Sequence, residues 1–122
     1  MIRTPAALVF LIAGAGASQA AENCDVPAFK VVQDVAMTGY MTVKAGKSCG
    51  IGVGHSLGGS TGVEVTRRPA HGSVQSRGLI IVYTARAGFT GKDSFGYVRH
   101  GRDESNGSPA RYPVNIQVTV VP

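Results

Sequence analysis

The chain has no tryptophan, only two cysteines, and charged residues amounting to 16% of its 122 positions. Charged side chains make up about 25% of ordinary soluble domains, so a highly charged, disordered tail is excluded as the general character. Two cysteines are too few for a disulfide-dense scaffold, and no His-x-His or His-x-x-x-His pair stands near them to suggest zinc. No stretch of ten or more residues after the first twenty combines a 3.6-residue apolar period with start and stop signals, which argues against helices. The length itself is too small for a barrel enzyme or a doubly wound nucleotide-binding enzyme. What is abundant is glycine, 17 residues in all, together with β-branched side chains. That composition points to short strands joined by turns.

Residues 1–20 carry the pattern of a secretory signal peptide. Arg3 follows the start, Leu8-Val9-Phe10-Leu11-Ile12 form a short apolar centre, and Ser18 and Ala20 stand at −3 and −1 of a cleavage site. The apolar run is about half the ~20 residues a membrane span needs. Glu22 and Asn23 before Cys24 do not suit a lipoprotein site. Cleavage leaves residues 21–122 as one domain, with 11 basic against 7 acidic residues. The excess is mostly arginine, and outside the cytoplasm its natural polyanions are acidic polysaccharides, lipid head groups and stray nucleic acid. In an oxidising compartment the two cysteines, Cys24 and Cys49, are expected to pair, and only one pairing exists. The expected location is periplasmic or secreted.

Period-two alternation dominates after residue 28. Val114, Ile116, Val118 and Val120 share one face while Asn115, Gln117 and Thr119 share the other, as in a half-buried strand. Val63–Thr66 repeats this, Phe95 and Tyr97 share a face, and so do Met41 and Val43. Leu79–Tyr83 is apolar on both faces, as a central strand would be. Phe29–Val35 and Cys49–Val53 complete the set. Turn residues fall at Thr38-Gly39, Ala45-Gly46, Arg68–Gly72, Arg77-Gly78, Ala87-Gly88 with Gly91, and Asp103–Pro109. About seven short strands in a hundred residues predict an all-β, antiparallel β-sandwich.

Several motifs in the second half are more specific. Pro69-Ala70-His71-Gly72-Ser73-Val74, Val82-Tyr83-Thr84, Gly88-Phe89-Thr90-Gly91-Lys92-Asp93-Ser94-Phe95-Gly96-Tyr97 and the closing Val114–Val120 strand follow one another. Together they resemble the bacterial immunoglobulin-like, cadherin-like domain found in tandem arrays of large secreted adhesins. The likeness covers about fifty residues. Ala85 stands where that family usually has proline, His100 where it often has an acid, and the leader from Cys24 to Gly62 has no counterpart. The resemblance implies an immunoglobulin-like fold and a non-catalytic binding or structural role at the cell envelope, including adhesion. Read on their own chemistry, Gly72 and Gly91 suit turns or close approaches, Phe89 suits a plug at the end of the sandwich, and Asp93 suits a carboxylate accepting backbone N–H bonds.

Gly54-His55-Ser56-Leu57-Gly58 matches G-x-S-x-G, the nucleophile elbow of lipases and esterases, and defines the rival expectation of a small serine hydrolase. Its elbow would need a helix next, yet Gly58-Gly59-Ser60-Thr61-Gly62 is a very poor helix start. Asp93 and His100 follow in the order of a triad, but seven residues apart on one expected strand. Six glycines within residues 50–62 fit a flexible connection better, and no lysine followed by Ser/Thr closes them into a phosphate loop. Catalytic, cofactor and metal residues are therefore expected to be none. Asp103-Glu104-Ser105-Asn106-Gly107 offers oxygens for calcium, but no second acidic cluster completes the six to eight ligands required, so a surface hairpin is expected. Arg86, Arg99, Arg102 and Arg111, with Tyr97 and Tyr112, could form a basic, aromatic patch. In an exported chain its fitting partner is an acidic glycan or an envelope protein, not nucleic acid.

Overall fold

The computed structural model describes residues 23–53 and 60–122. The signal-peptide segment 1–20 and the Gly54–Gly58 motif with Ser56 lie outside the described residues. Eight strands follow in order: β1 (Cys24–Asp25), β2 (Met37–Lys44), β3 (Ser48–Gly52), β4 (Ser60–Arg67), β5 (Gly72–Arg77), β6 (Ile80–Ala85), β7 (Gly91–Arg102) and β8 (Pro109–Val121). Five form a sheet in the order β1-β2-β8-β7-β4, and three form a second in the order β3-β6-β5. No helix occurs among the described residues. The all-β expectation holds.

One apolar core lies between the two sheets, because alternation turns one face of each strand inward. Val114, Ile116, Val118 and Val120 of β8 are at most 2% exposed and meet Phe95 and Tyr97 of β7, with Met41 and Val43 of β2 in the same cluster. Across from them stand Ile51 of β3, Val74 of β5 and Ile81, Tyr83 and Ala85 of β6. The Tyr83 and Phe95 rings, one from each sheet, stack at 5.6 Å between centroids. Cys24 of β1 and Cys49 of β3 form the expected disulfide, which ties one sheet to the other. β6 is indeed the central strand of its sheet, although Ile80 remains 48% exposed.

Four expectations are corrected. The strands number eight among the described residues, since β1 and β5 were not among the strands expected while Phe29–Val35, which was, is not one. Pairing is not wholly antiparallel: β2 runs parallel to β8, from Met37 opposite Val114 to Lys44 opposite Val121. A tight turn at Ala45–Lys47 sends the chain from β2 into the other sheet, so β2 cannot close a hairpin with β3 and takes the free side of β8. Phe29–Val35 is not a strand. Asp34 adopts φ 61° and Val35 N–H donates to Val32 C=O at 3.3 Å, leaving a closed turn with one bridge. Thr38-Gly39 is not a turn but part of β2. Gly39 is needed there for space, because a Cβ would come within 2.7 Å of the Phe29 ring and 2.9 Å of Ile116.

Candidate functional site

The β2–β3, β4–β5 and β6–β7 turns all lie at one end of the two sheets, set there by strand direction. Asp93, at the start of β7, organises this end. Its buried carboxylate accepts hydrogen bonds from the Ala70 and His71 N–H groups, both at 3.0 Å, from Ser94 N–H at 2.9 Å and from the Tyr83 hydroxyl at 2.8 Å. One side chain thereby joins the two sheets and the β4–β5 turn. The expected role as acceptor of its own turn holds for Ser94; the other three donors come from distant segments.

Gly72 lets β5 start against this lock. A Cβ there would fall 2.5 Å from Thr84 C=O and 2.8 Å from the Tyr83 hydroxyl. The His71 ring then stacks on Phe89 at 4.1 Å and 6°. Phe89, half-buried on the core, is the plug foreseen for this end. Arg86 donates towards His71 Nδ1 at 3.3 Å and holds its guanidinium 5.9 Å from the Phe89 ring centre. Gly91 begins β7 at φ 132°, a backbone region that favours glycine. Beside this stack is an open hollow of about 430 Å³ lined by Gly46, Gly72, Ser73, Thr84, Arg86 and Ala87 among others. Lys44 closes β2 and Lys47 sits in the turn after it; Arg68 and Lys92 flank the same end.

The expected patch of four arginines and two tyrosines does not form. Arg99 is 1% exposed and lies over the Tyr112 ring at 3.9 Å, while Tyr97 and Tyr112 are themselves buried. Alternation turns residues 93, 95, 97 and 99 of β7 inward, and Arg99 is simply the innermost member of that row to carry a charge. Arg86 stands at the other end from Arg102, whose guanidinium donates to Gly107 C=O within the β7–β8 hairpin. A second hollow, of about 380 Å³, is apolar and lined by Phe29, Val31, Ile51, Val53, Tyr97 and Arg99 among others.

Asp93 and His100 are not brought together. Seven positions along one strand separate them by about 23 Å and put them on opposite faces. His100 Nε2 instead meets Glu64 Oε1 at 3.0 Å on the outer face. The Asp103–Gly107 segment is the hairpin expected. Asp103 Oδ1 accepts from Ser105 N–H at 2.8 Å, and Asn106 Oδ1 accepts from Ser108 N–H at 2.9 Å. These two oxygens serve the loop itself, and the Ser105 hydroxyl, followed by the Ser105 N–H, holds the Asp103 carboxyl below its ordinary pKa. Among the described residues no three His, Cys, Asp or Glu side chains gather to hold a metal ion, and no helix is long and apolar enough to cross a membrane.

Burial raises the pKa of two tyrosines. Tyr83 rises through burial first, then through its hydrogen bond to Asp93 and the charge on that carboxylate, against a lowering by Arg86. Tyr97 is pushed up to about 12 by burial, with Arg99 acting in the opposite direction. An acid whose pKa is higher folded than unfolded keeps its proton longer in the native state. The stabilisation is complete below the unfolded value of about 10 and is lost as pH rises from there towards the folded value. Two of the four tyrosines are therefore expected to ionise only together with unfolding in an alkaline absorbance titration. Four independent, reversible ionisations near pH ~10 in folded protein would contradict this.

Compared with known proteins, the chain matches no family model and no curated protein. The sequence missed the grouping of Lys44, Lys47 and Arg86 at one end. A signal was present, since Lys44-Ala45-Gly46-Lys47 and Arg86-Ala87-Gly88 each put a cation beside an Ala-Gly turn.

Proposed function

We propose that this chain is an exported, non-catalytic immunoglobulin-like domain, a binding or structural module of the bacterial cell envelope. The observation that carries this reading is strand order. Setting β1 and β2 aside, β3-β6-β5 and β8-β7-β4 correspond to the B-E-D and G-F-C sets of an immunoglobulin domain. The departure is β2, which joins β8 instead of standing beside β3. The interlock of His71, Gly72, Tyr83, Phe89 and Asp93 supports it further, because the residues behind the resemblance serve the fold. The Cys24–Cys49 disulfide suits an oxidising, non-cytoplasmic environment, and a periplasmic or secreted location follows from the signal-peptide pattern. Binding domains on such folds make their contacts through end loops held by a rigid scaffold.

The test compares ester hydrolysis by the exported protein and by its Ser56→Ala variant. Neither is expected to exceed the buffer rate. Turnover abolished by Ser56→Ala would overturn the reading in favour of a serine hydrolase. Intact mass of the same preparation is expected to correspond to a start near Ala21 with both thiols oxidised; retention of residues 1–20 with free thiols would overturn export.

A further inference from the structure

We propose that the turn-bearing end of the molecule is a docking site for an acidic polysaccharide. This rests on the binding-module reading above and assigns it a ligand class. Lys44, Lys47, Arg68, Arg86 and Lys92 fall at that end, four of them exposed and Lys44 half-buried; Lys92 Nζ donates to Thr119 Oγ1 at 2.9 Å and Arg68 to Val74 C=O at 3.3 Å. Acidic side chains are scarce there among the described residues. Asp93 is buried with its carboxylate occupied by four donors, and Asp25, opposite Thr42 on the β1 edge, is the one exposed Asp or Glu side chain close by among the described residues. Asp34, Asp103 and Glu104 lie at the far end, near the start of β8. The charge is therefore polarised along the strand axis. Among the described residues, the ion-pair contact is His100 with Glu64, away from this end.

The hollow gives the charge a shape. Its wall joins the β2–β3 and β6–β7 turns and includes Gly46, Gly72, Ser73, Thr84 and Arg86; the Thr84 hydroxyl shares a hydrogen bond with that of Ser48 at 2.7 Å. Hydroxyls and a fork-shaped guanidinium beside lysines are the groups that hold sugar hydroxyls and carboxylate or sulfate together. Other polyanions fit less well. The exposed large apolar side chains Val32, Val35, Tyr40, Leu79 and Ile80 belong to other segments, so among the described residues this end has no large exposed apolar side chain to insert into a lipid surface. Phe89 has its face covered by His71, which removes it as a platform for unstacked bases.

The probes are alginate and heparin, with neutral dextran, anionic phospholipid vesicles and single-stranded DNA as further arms, all against the oxidised, exported protein. Binding to alginate or heparin, absent for dextran and weakened by salt, is expected. Lys44→Gln/Lys47→Gln is expected to weaken it by about tenfold. Arg77→Gln/Arg111→Gln, which removes the same charge from elsewhere, is expected to change it less than about twofold. Arg86→Gln serves as a second variant at the hollow, each variant being used only with an unchanged melting transition. Equal losses for both double variants would overturn the proposal, since net charge alone would then explain binding. Tighter binding to vesicles or DNA than to either glycan would overturn it as well. A folded, disulfide-bonded protein that binds neither glycan overturns this assignment while leaving the module reading standing.

Discussion

Replacement of Asp93 by alanine is expected to destabilise the fold by about 3–5 kcal/mol. The carboxylate serves three backbone N–H groups, from Ala70, His71 and Ser94, and the hydroxyl of Tyr83, which has no exposed surface. Alanine leaves the buried Tyr83 hydroxyl and three part-buried N–H groups without their acceptor, and an unpaired buried donor costs about 1–3 kcal/mol. Partial relaxation of the β4–β5 turn recovers some of that. A domain of this size has about 5–15 kcal/mol in total, so the variant is expected to be marginal or unfolded at growth temperature. Tyr83→Phe removes a single donor and is expected to cost about 1–2 kcal/mol. Because the two groups share one bond, the double variant is expected to fall short of the sum of the single effects. Urea unfolding of the three variants checks this. An Asp93→Ala loss below about 1 kcal/mol, or strict additivity with Tyr83→Phe, would show that the carboxylate is not the lock between the sheets.

Loss of the Cys24–Cys49 bridge is the second large effect, expected at about 3 kcal/mol or somewhat more for a bridge spanning 25 residues. Two contributions add here. The unfolded chain regains the freedom of a closed loop, and β1 loses its anchor to the core. β1 pairs with β2 over only Cys24–Val43 and Asp25–Thr42, too short a ladder to persist alone. Its release uncovers the outer edge of β2, a row of unpaired backbone groups beside the 61%-exposed Tyr40. Cys24→Ala/Cys49→Ala, or the wild type under reductant, is expected to unfold at lower urea and with a somewhat steeper slope, because the unbridged denatured chain exposes more surface. It should also expose residues near the amino end of the domain to protease before the global transition. Identical midpoints for oxidised and reduced protein would contradict both contributions.

The ease with which parts of this molecule can be read from its residues follows from the range of the forces involved. β8 was legible because alternation is local: four β-branched residues two apart can bury together only if they share a face. The disulfide was legible because two cysteines allow one pairing. Turns at Ala45-Gly46, Gly78 and Ala87-Gly88 were legible because three of these glycines adopt positive φ, at 76°, 61° and 85°, which is a property of the residue itself. Thr38-Gly39 misled for the opposite reason. Gly39 serves a contact with Phe29 and Ile116, one ten and the other seventy-seven positions away in sequence, and no local pattern separates that use from a turn.

By itself, then, the sequence determined the all-β class, the core-facing side of β8 and of the Met41–Val43 and Phe95–Tyr97 pairs, where most turns fall and which cysteines join. Tertiary structure alone decided which strands are neighbours, including the parallel β2–β8 ladder and the small β1. It decided that Arg99 is inside and over Tyr112, that Asp93 reaches Ala70, His71 and Tyr83, and that Lys44, Lys47 and Arg86 share one end, with a hollow beside Arg86. The physical reason is that a two-residue period specifies the face a side chain occupies and nothing about what lies sideways or beyond the strand end. Neighbours are selected by burying faces against one another over long separations. The five cations gathered at one end follow from that packing, which is why the charge counted along the chain became a site only once the strands were in order.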